Sequence, residues 1–253
     1  MQHENTVTQS FGPQAAAYLT SQVHATGRDL ELLAAALAET PNAKVLDLGC
    51  GAGHASYAAA SAVAEVVAYD LTEAMLRVVE RTAQERGLTN VRTVQGSAER
   101  LPFADSSFDW VISRYSAHHW RNLPAAMLEI ARVLKSGGQV CLIDVAGGPE
   151  PLLDTHLQSV EMLRDPSHVR DYTDGEWLRY FSDVSLKAEV TERWRLPAEF
   201  SSWIERMNTP AERVTAIREV WTTAPAEVRE HYAVAADGSF EMDVIMLRAR
   251  KAV

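Results

Sequence analysis

The chain has 253 residues, 47% of them hydrophobic and 23% charged, the composition of a folded globular domain, which excludes disordered and fibrous classes. Its 24 Lys and Arg against 34 Asp and Glu leave a net charge of −10. A surface that acidic repels phosphate backbones and anionic membranes, so neither nucleic acid nor membrane is expected as a partner. Two cysteines, Cys50 and Cys141, make no disulfide framework. With no apolar run of about 18 residues and no basic-then-apolar N-terminus, the expected compartment is a bacterial-type cytoplasm.

In chain order, β-rich runs occur at Lys44 to Leu48, Glu65 to Asp70, Val91 to Gln95, Phe108 to Ser113 and Gln139 to Val145. Helical stretches lie between them. Gly53 to Val63 is Ala-rich, Glu73 to Arg86 has Thr72 as N-cap and Gly87 as stop, and Asn122 to Leu134 carries Leu123, Met127, Ile130 and Leu134 on one face. Such alternation predicts an α/β fold with a parallel sheet, right-handed crossovers, and a ligand outside the carboxyl ends of the strands. Beyond it come a segment with Pro149, Pro151 and Pro166 around one helix, a strand at Val184 to Leu196, short helices from Pro197 to Tyr232, and a strand at Phe240 to Leu247. The predicted division is a core of 42–146 completed by 175–196 and 237–253, under a helical cap of 1–41, 147–174 and 197–236.

The stretch Val45-Leu46-Asp47-Leu48-Gly49-Cys50-Gly51-Ala52-Gly53-His54 runs an apolar strand into glycines that open a helix, so a ligand can lie against bare backbone. The spacing G-x-G-x-G departs from the dinucleotide pattern, with His54 in the place of its last glycine. Asp47 puts a carboxylate where a pyrophosphate would sit, which favours a ligand with an ammonium or sulfonium. Asp70 ends the next strand near the offset of about 20 residues at which an acid meets ribose hydroxyls. Gln95-Gly96-Ser97-Ala98-Glu99 then offers small residues and side-chain oxygens to an adenine edge, and Leu134-Lys135-Ser136-Gly137-Gly138 reads as a structural turn.

These motifs, with Leu71-Thr72-Glu73-Ala74-Met75-Leu76, Glu99-Arg100-Leu101-Pro102-Phe103 and Phe108-Asp109-Trp110-Val111-Ile112-Ser113, resemble the class I S-adenosylmethionine-dependent methyltransferases, of the small-molecule type related to the quinone-biosynthesis C-methyltransferases. The likeness covers roughly residues 40 to 146. It implies a Rossmann-like seven-stranded, mostly parallel sheet with the last strand antiparallel, and S-adenosylmethionine as cofactor. It sets Gly49, Cys50, Gly51 and Gly53 against the methionyl part, Asp70 on the ribose, Leu71 and Met75 on the adenine face, and Ser97 with Ala98 at its edge. Asp47 and Ser113 are counted with these cofactor residues. Leu163 to Arg170 and Phe200 to Arg206 look like segments of bacterial methyltransferases of unassigned substrate.

Resemblance also places Ser113-Arg114-Tyr115-Ser116-Ala117-His118-His119-Trp120 beside the reactive methyl. His118 and His119 suit general-base work near neutral pH, one ring facing inward and the other structural, with Tyr115 and Arg114 as further catalytic candidates. The sequence lacks the signatures of amino-adenine and cytosine methylation, and the adjacent histidines lack metal-ligand spacing, so no metal is expected. Arg164, His168 and Arg170 suggest an anionic small-molecule acceptor. Phe11, Tyr18 and His24 are read as the opposite wall, since the resemblance implies that this segment closes over the cofactor. A non-catalytic S-adenosylmethionine-binding protein and a nicotinamide dehydrogenase are the alternative readings.

Overall fold

The computed structural model describes residues 2–15, 19 and 27–253. Tyr18 and His24 lie outside the described residues. The helices among those described are α1 (His3–Phe11), α2 (Arg28–Ala38), α3 (His54–Ala60), α4 (Glu73–Glu85), α5 (Leu123–Val133), α6 (Pro151–Arg164), α7 (Asp174–Asp183), α8 (Phe200–Glu205), α9 (Ala211–Thr223) and α10 (Ala226–His231). The strands are β1 (Lys44–Leu48), β2 (Glu65–Asp70), β3 (Val91–Gln95), β4 (Phe108–Arg114), β5 (Leu134–Val145), β6 (Leu186–Ala198) and β7 (Phe240–Lys251).

They form one seven-stranded sheet in the order β3-β2-β1-β4-β5-β7-β6. β1 to β5 pair in parallel, and β7 runs antiparallel to both β5 and β6. Because the chain works outward from β1 to β3 and then returns to β4, the β1/β4 boundary is the switch point, where a crevice opens at the carboxyl ends.

Successive side chains on a strand face opposite layers. Val45 and Ile112 meet Leu33 and Leu37 of α2 and Ala59 of α3 on one face. Leu46 and Val111 meet Met127 and Ile130 of α5 and Trp177 and Phe181 of α7 on the other. The stretch 28–38, expected in the cap, is therefore part of the sheet's covering layer. Gly87 stops α4 with φ +68°, the left-handed conformation that ends a helix cheaply when there is no Cβ.

β6 continues through Pro197 to Ala198, where the sequence reading ended the strand at Leu196 and opened the cap. Proline is tolerated because β6 is an edge strand whose outward side needs no ladder donor. β7 also runs longer than the apolar pattern because its end pairs with β5 and β6 over Gln139–Arg250 and Lys187–Arg250, and β5 starts earlier, at Leu134, which pairs with Phe108 of β4.

The cap of α6 and α8 to α10 has its own aromatic core. Trp203 and Trp221 each lie 5.0 Å from the Phe240 ring, and Tyr232 Oη donates to the Leu153 carbonyl at 3.1 Å. This core is continuous with Val145, Ala198 and Met242 at the strand ends, so the cap is anchored on the sheet. Each fully buried aromatic contributes on the order of 1.5–3 kcal/mol.

Candidate active site

At the end of β1 the chain turns through Gly49, Gly51 and Gly53, with φ of +72°, +50° and +89°. Gly49 and Cys50 N–H groups donate to the Tyr69 carbonyl at 2.8 and 3.0 Å, which hangs the turn on β2. Asp70 completes the attachment, its Oδ2 accepting from Gly51 N–H at 2.9 Å and its Oδ1 from Thr72 N–H at 2.8 Å. Burial raises the Asp70 carboxyl and these backbone donors oppose the rise. Thr72 is the N-cap residue of α4 as expected, although its side chain makes no capping bond; its own N–H is the one donated to Asp70.

The glycines serve different ends. A Cβ on Gly53 would stand 2.7 Å from the Tyr57 ring, so that position is empty for internal packing. A Cβ on Gly51 would meet nothing within 4 Å and would project into open space. Asp47 is 1% exposed; its Oδ2 accepts from Ser56 Oγ at 2.5 Å, while its Oδ1 has no hydrogen-bond partner among the described residues. Burial pushes its carboxyl up to about 7, the Ser56 bond opposes this, and Asp70 adds to it. An approaching positive charge would stabilise Asp47, as the strand-end carboxylate requires.

A cleft of about 1060 Å³ opens over this turn. Asp47, Gly49, Cys50, Gly51, Asp70 and Leu71 line it, with Met75, Ser97 and Ala98 farther along. Arg114, Tyr115 and His119 close one end, and His3, Glu4, Val7 and Phe11 bring α1 across it. Gly53 and Ser113 do not line it; the Ser113 hydroxyl donates to the Leu48 carbonyl at 2.8 Å and ties β4 to β1. Arg114 forms a buried ion pair with Asp29 at 2.5 Å that fixes α2 to the end of β4.

A second cavity of about 610 Å³ adjoins the first and shares Phe11, Tyr115 and His119 with it. Its polar wall holds His118, Glu161, Arg164, Asp171 and Arg206; Leu196, Trp203 and Met242 supply apolar surface. The segment after α6 is laid along the histidine turn, with Val169 N–H donating to the His118 carbonyl at 2.8 Å.

The two histidines differ in charge. His118 Nδ1 is 2.6 Å from Asp144 Oδ1, and that carboxylate also accepts from Val145 N–H at 2.9 Å and, through Oδ2, from Ala117 N–H at 3.0 Å. Burial alone would lower His118, but Asp144 outweighs it and the imidazole rises to about 9, so it is an imidazolium at neutral pH. His119 falls to about 3 through burial and the neighbouring His118. Its Nδ1 lies 3.2 Å from the Ser167 carbonyl, and Ser167 Oγ in turn donates to Asp165 at 2.7 Å. A carbonyl can only accept, so His119 Nδ1 carries the hydrogen and Nε2 keeps its lone pair. The rings are 4.2 Å apart and both reach cavity walls, rather than one being turned away.

The basic residues of the cap are engaged within the protein. Arg164 donates to the Trp203 carbonyl at 2.9 Å and stands 3.6 Å from Glu161. Arg170 pairs with Asp154 and Glu176 at 3.0 and 3.1 Å and lines neither cavity. His168 also lines neither; Nε2 bonds Gln158 Oε1 at 2.9 Å, and burial drops the imidazole to about 2. Of these three residues, read in the sequence as a hint of an anionic acceptor, Arg164 alone lines a cavity. Asp144, Glu161 and Asp171 were not anticipated as site residues; only an acid ending the strand beside the histidine loop signals Asp144 in the sequence.

The 3-2-1-4-5-7-6 sheet, the glycine turn and Asp70 at the end of β2 define an S-adenosylmethionine-dependent methyltransferase of class I. Residues 46–142 match the family described as "Methyltransferase domain". The chain belongs to this family. It is 48% identical over 204 residues to the uncharacterized protein YafE of Escherichia coli K12, covering 81% of this chain and 99% of that one. It is 39% identical over 224 residues to the uncharacterized methyltransferase YcgJ of Bacillus subtilis, 88% of each chain. The crystal structure of YcgJ superposes with a TM-score of 0.85 at 38% identity, over 89% of this chain and 98% of that one. A demethylmenaquinone methyltransferase from Geobacillus sp. WCH70 is 29% identical over 160 residues, 60% of this chain and 68% of that one. No helix among the described residues is long and apolar enough to cross a membrane.

Proposed function

We propose that this methyltransferase acts on a small metabolite held in the second cavity, with S-adenosylmethionine in the first. The observation that carries the reading is the meeting of the two cavities at Phe11, Tyr115 and His119. The net charge of −10 favours a small metabolite over a nucleic acid. Relatives named as demethylmenaquinone methyltransferases support a small acceptor without naming this one.

The residues present fit the cofactor. The space beside Gly51 and the unpartnered Asp47 Oδ1 suit an aminoacyl group bearing an ammonium, Asp70 suits ribose hydroxyls, and Leu71, Met75, Ser97 and Ala98 border the adenine position. When bound, S-adenosylmethionine supplies an electrophilic methyl on a sulfonium. The chain's task is alignment and exclusion of water, which can supply about 7–11 kcal/mol. Phe11 and the rest of α1 shield the junction. Tyr115 and His119 border the path between the cavities, and His118 holds a proton that stabilises negative charge on an acceptor oxygen. His119 presents a neutral Nε2 as hydrogen-bond acceptor. The lowered basicity of His119 and the protonated state of His118 support positioning and electrostatics over a neutral-pH base.

Titration calorimetry with S-adenosylhomocysteine and NAD tests the cofactor assignment, which NAD binding in preference would overturn. Incubation of a metabolite extract with labelled methyl donor tests the acceptor class. Label appearing only in macromolecules would overturn it.

A further inference from the structure

Asp171 is 2% exposed, lines the second cavity, and has an Oδ2 with no hydrogen-bond partner among the described residues. Its main chain is clamped by one side chain: Gln158 Oε1 accepts from Asp171 N–H at 3.1 Å and Gln158 Nε2 donates to its carbonyl at 2.7 Å. The nearest basic nitrogen, His168 Nε2, is 3.9 Å away and is already bonded to Gln158. Burial holds His168 neutral, so it brings no charge to Asp171.

The other charged groups around it are accounted for. His118 is matched by Asp144, and Arg164 by Glu161 and the Trp203 carbonyl. Arg206 lines the cavity too and lowers the same Glu161, and Arg170 pairs with Asp154 and Glu176 outside it. Glu161, Asp144 and Asp154 all raise Asp171, with burial the largest cause, and only His118 among the main contributors opposes them. Burial likewise raises Glu161. A buried carboxyl raised in this way holds a proton until a cation replaces it.

We infer that the second cavity takes an acceptor carrying a cationic nitrogen, an ammonium or amidinium on an apolar body, seated against Asp171. The apolar body packs on Leu196, Trp203 and Met242. Asp171 lines only the second cavity, whereas Phe11, Tyr115 and His119 line both, so the charged nitrogen is an anchor and the methylated atom is elsewhere on the molecule, toward the junction. An ammonium has no lone pair to alkylate, which agrees with that division. The inference rests on the second cavity being the acceptor compartment.

The test uses the full chain saturated with S-adenosylhomocysteine and three probes of similar shape: 2-phenylethylamine, 2-phenylethanol and 3-phenylpropionate. Calorimetry should show the amine binding at least about tenfold more tightly than either of the others, the scale of one charge-assisted contact. At pH 7 amine binding should release protons, read from the dependence of heat on buffer ionisation. Asp171→Asn should remove at least about tenfold of amine affinity and the proton release, while leaving affinity for the alcohol and for S-adenosylhomocysteine within a few-fold. Glu161→Gln, tested in parallel, should lower proton release in the same direction and serves if Asp171→Asn does not fold. A preference for the acid or alcohol, no binding by any probe, or an amine preference that survives substitution would overturn the anchor. Loss of S-adenosylhomocysteine binding in the unsubstituted protein would instead overturn the functional reading beneath it.

Discussion

The cofactor cleft and the second cavity share a wall, yet they are built by opposite means. The cleft has a backbone floor, the contiguous turn at 47–53 and the ends of β2 and β3 with one carboxylate stapling it, under side chains of α1 and of 114–121. The second cavity is mostly side chain, assembled from α1, the histidine loop, α6 with its following segment, β6, α8 and β7. Backbone sites depend on a few positions that tolerate no Cβ, so they leave a compact sequence signature. Side-chain sites depend on tertiary assembly and can change specificity without altering the fold.

The contrast can be broken most directly at Gly51. A Gly51→Val variant that keeps its circular dichroism spectrum should lose measurable S-adenosylhomocysteine binding in calorimetry, because the side chain enters the open space over the turn. The φ of +50° adds a folding cost of about 1–2 kcal/mol. Retained binding would mean that the glycine turn is structural only.

His118 tests the other side. Its Asn variant should bind cofactor within a few-fold of the parent while kcat falls by about 10²–10³, the loss expected for a donor to developing charge. Since Asp144 holds the imidazole up to about 9, activity should decline as pH rises through that value. Asp144→Asn should move the limb down toward 6.5 in the rate profile. A limb that stays in place would assign the titration to the acceptor.

Asp70→Ala should cost cofactor affinity about 2–3 kcal/mol by calorimetry, since two charge-assisted contacts and the staple on Gly51 go together. Unchanged affinity would return Asp70 to a purely structural role.

Stability should separate the histidines by pH. His118 is raised, so its contribution is complete below its unfolded value of 6.5 and is lost as pH rises from there through about 9. His119 and His168 are lowered to about 3 and 2, so theirs is present above 6.5 and is lost as pH falls. Thermal melts should show His168→Asn losing less between pH 7 and pH 5 than the parent does. An equal loss would place the acid sensitivity elsewhere. The smallest effect is expected at Arg170, whose partly exposed ion pairs lie outside both cavities; Arg170→Ala should lower stability by no more than about 1 kcal/mol in chemical denaturation and leave cofactor affinity as it was.

The same asymmetry explains what could be read in advance. β1, β2 and β3 fall at the residues their apolar runs indicate; β1 and β2 lie inside the sheet, where a strand buried on both faces needs a continuous run, and β3 is a half-buried edge strand. The resemblance adds the adenine and ribose positions, and the cleft brings Asp70, Met75 and Ser97 together. The second cavity was not legible in this way. His118 and His119 stand out as a pair, but their charges depend on Asp144 and on Ser167, which lie far along the chain. Arg164, His168 and Arg170 read as a basic cluster because one sequence shows no partners; folding supplies Glu161, Gln158, Asp154 and Glu176. α7 had a local signal that was passed over, the Thr173 and Glu176 capping box.

The placement of β7 governs the order in which the molecule can be made. Phe240–Lys251 enters between β5 and β6, two strands that have no ladder with each other. As the chain leaves the ribosome, β1 to β5 can pair and close around their crossover helices, while Leu186–Ala198 has no partner strand until the last of these strands arrives. Phe240 and Met242 also enter the cap's aromatic core, so the cap consolidates at that same late moment. A nascent chain halted before residue 240 would hold the parts of the cofactor turn beside an open sheet edge, a form prone to aggregate before it could act.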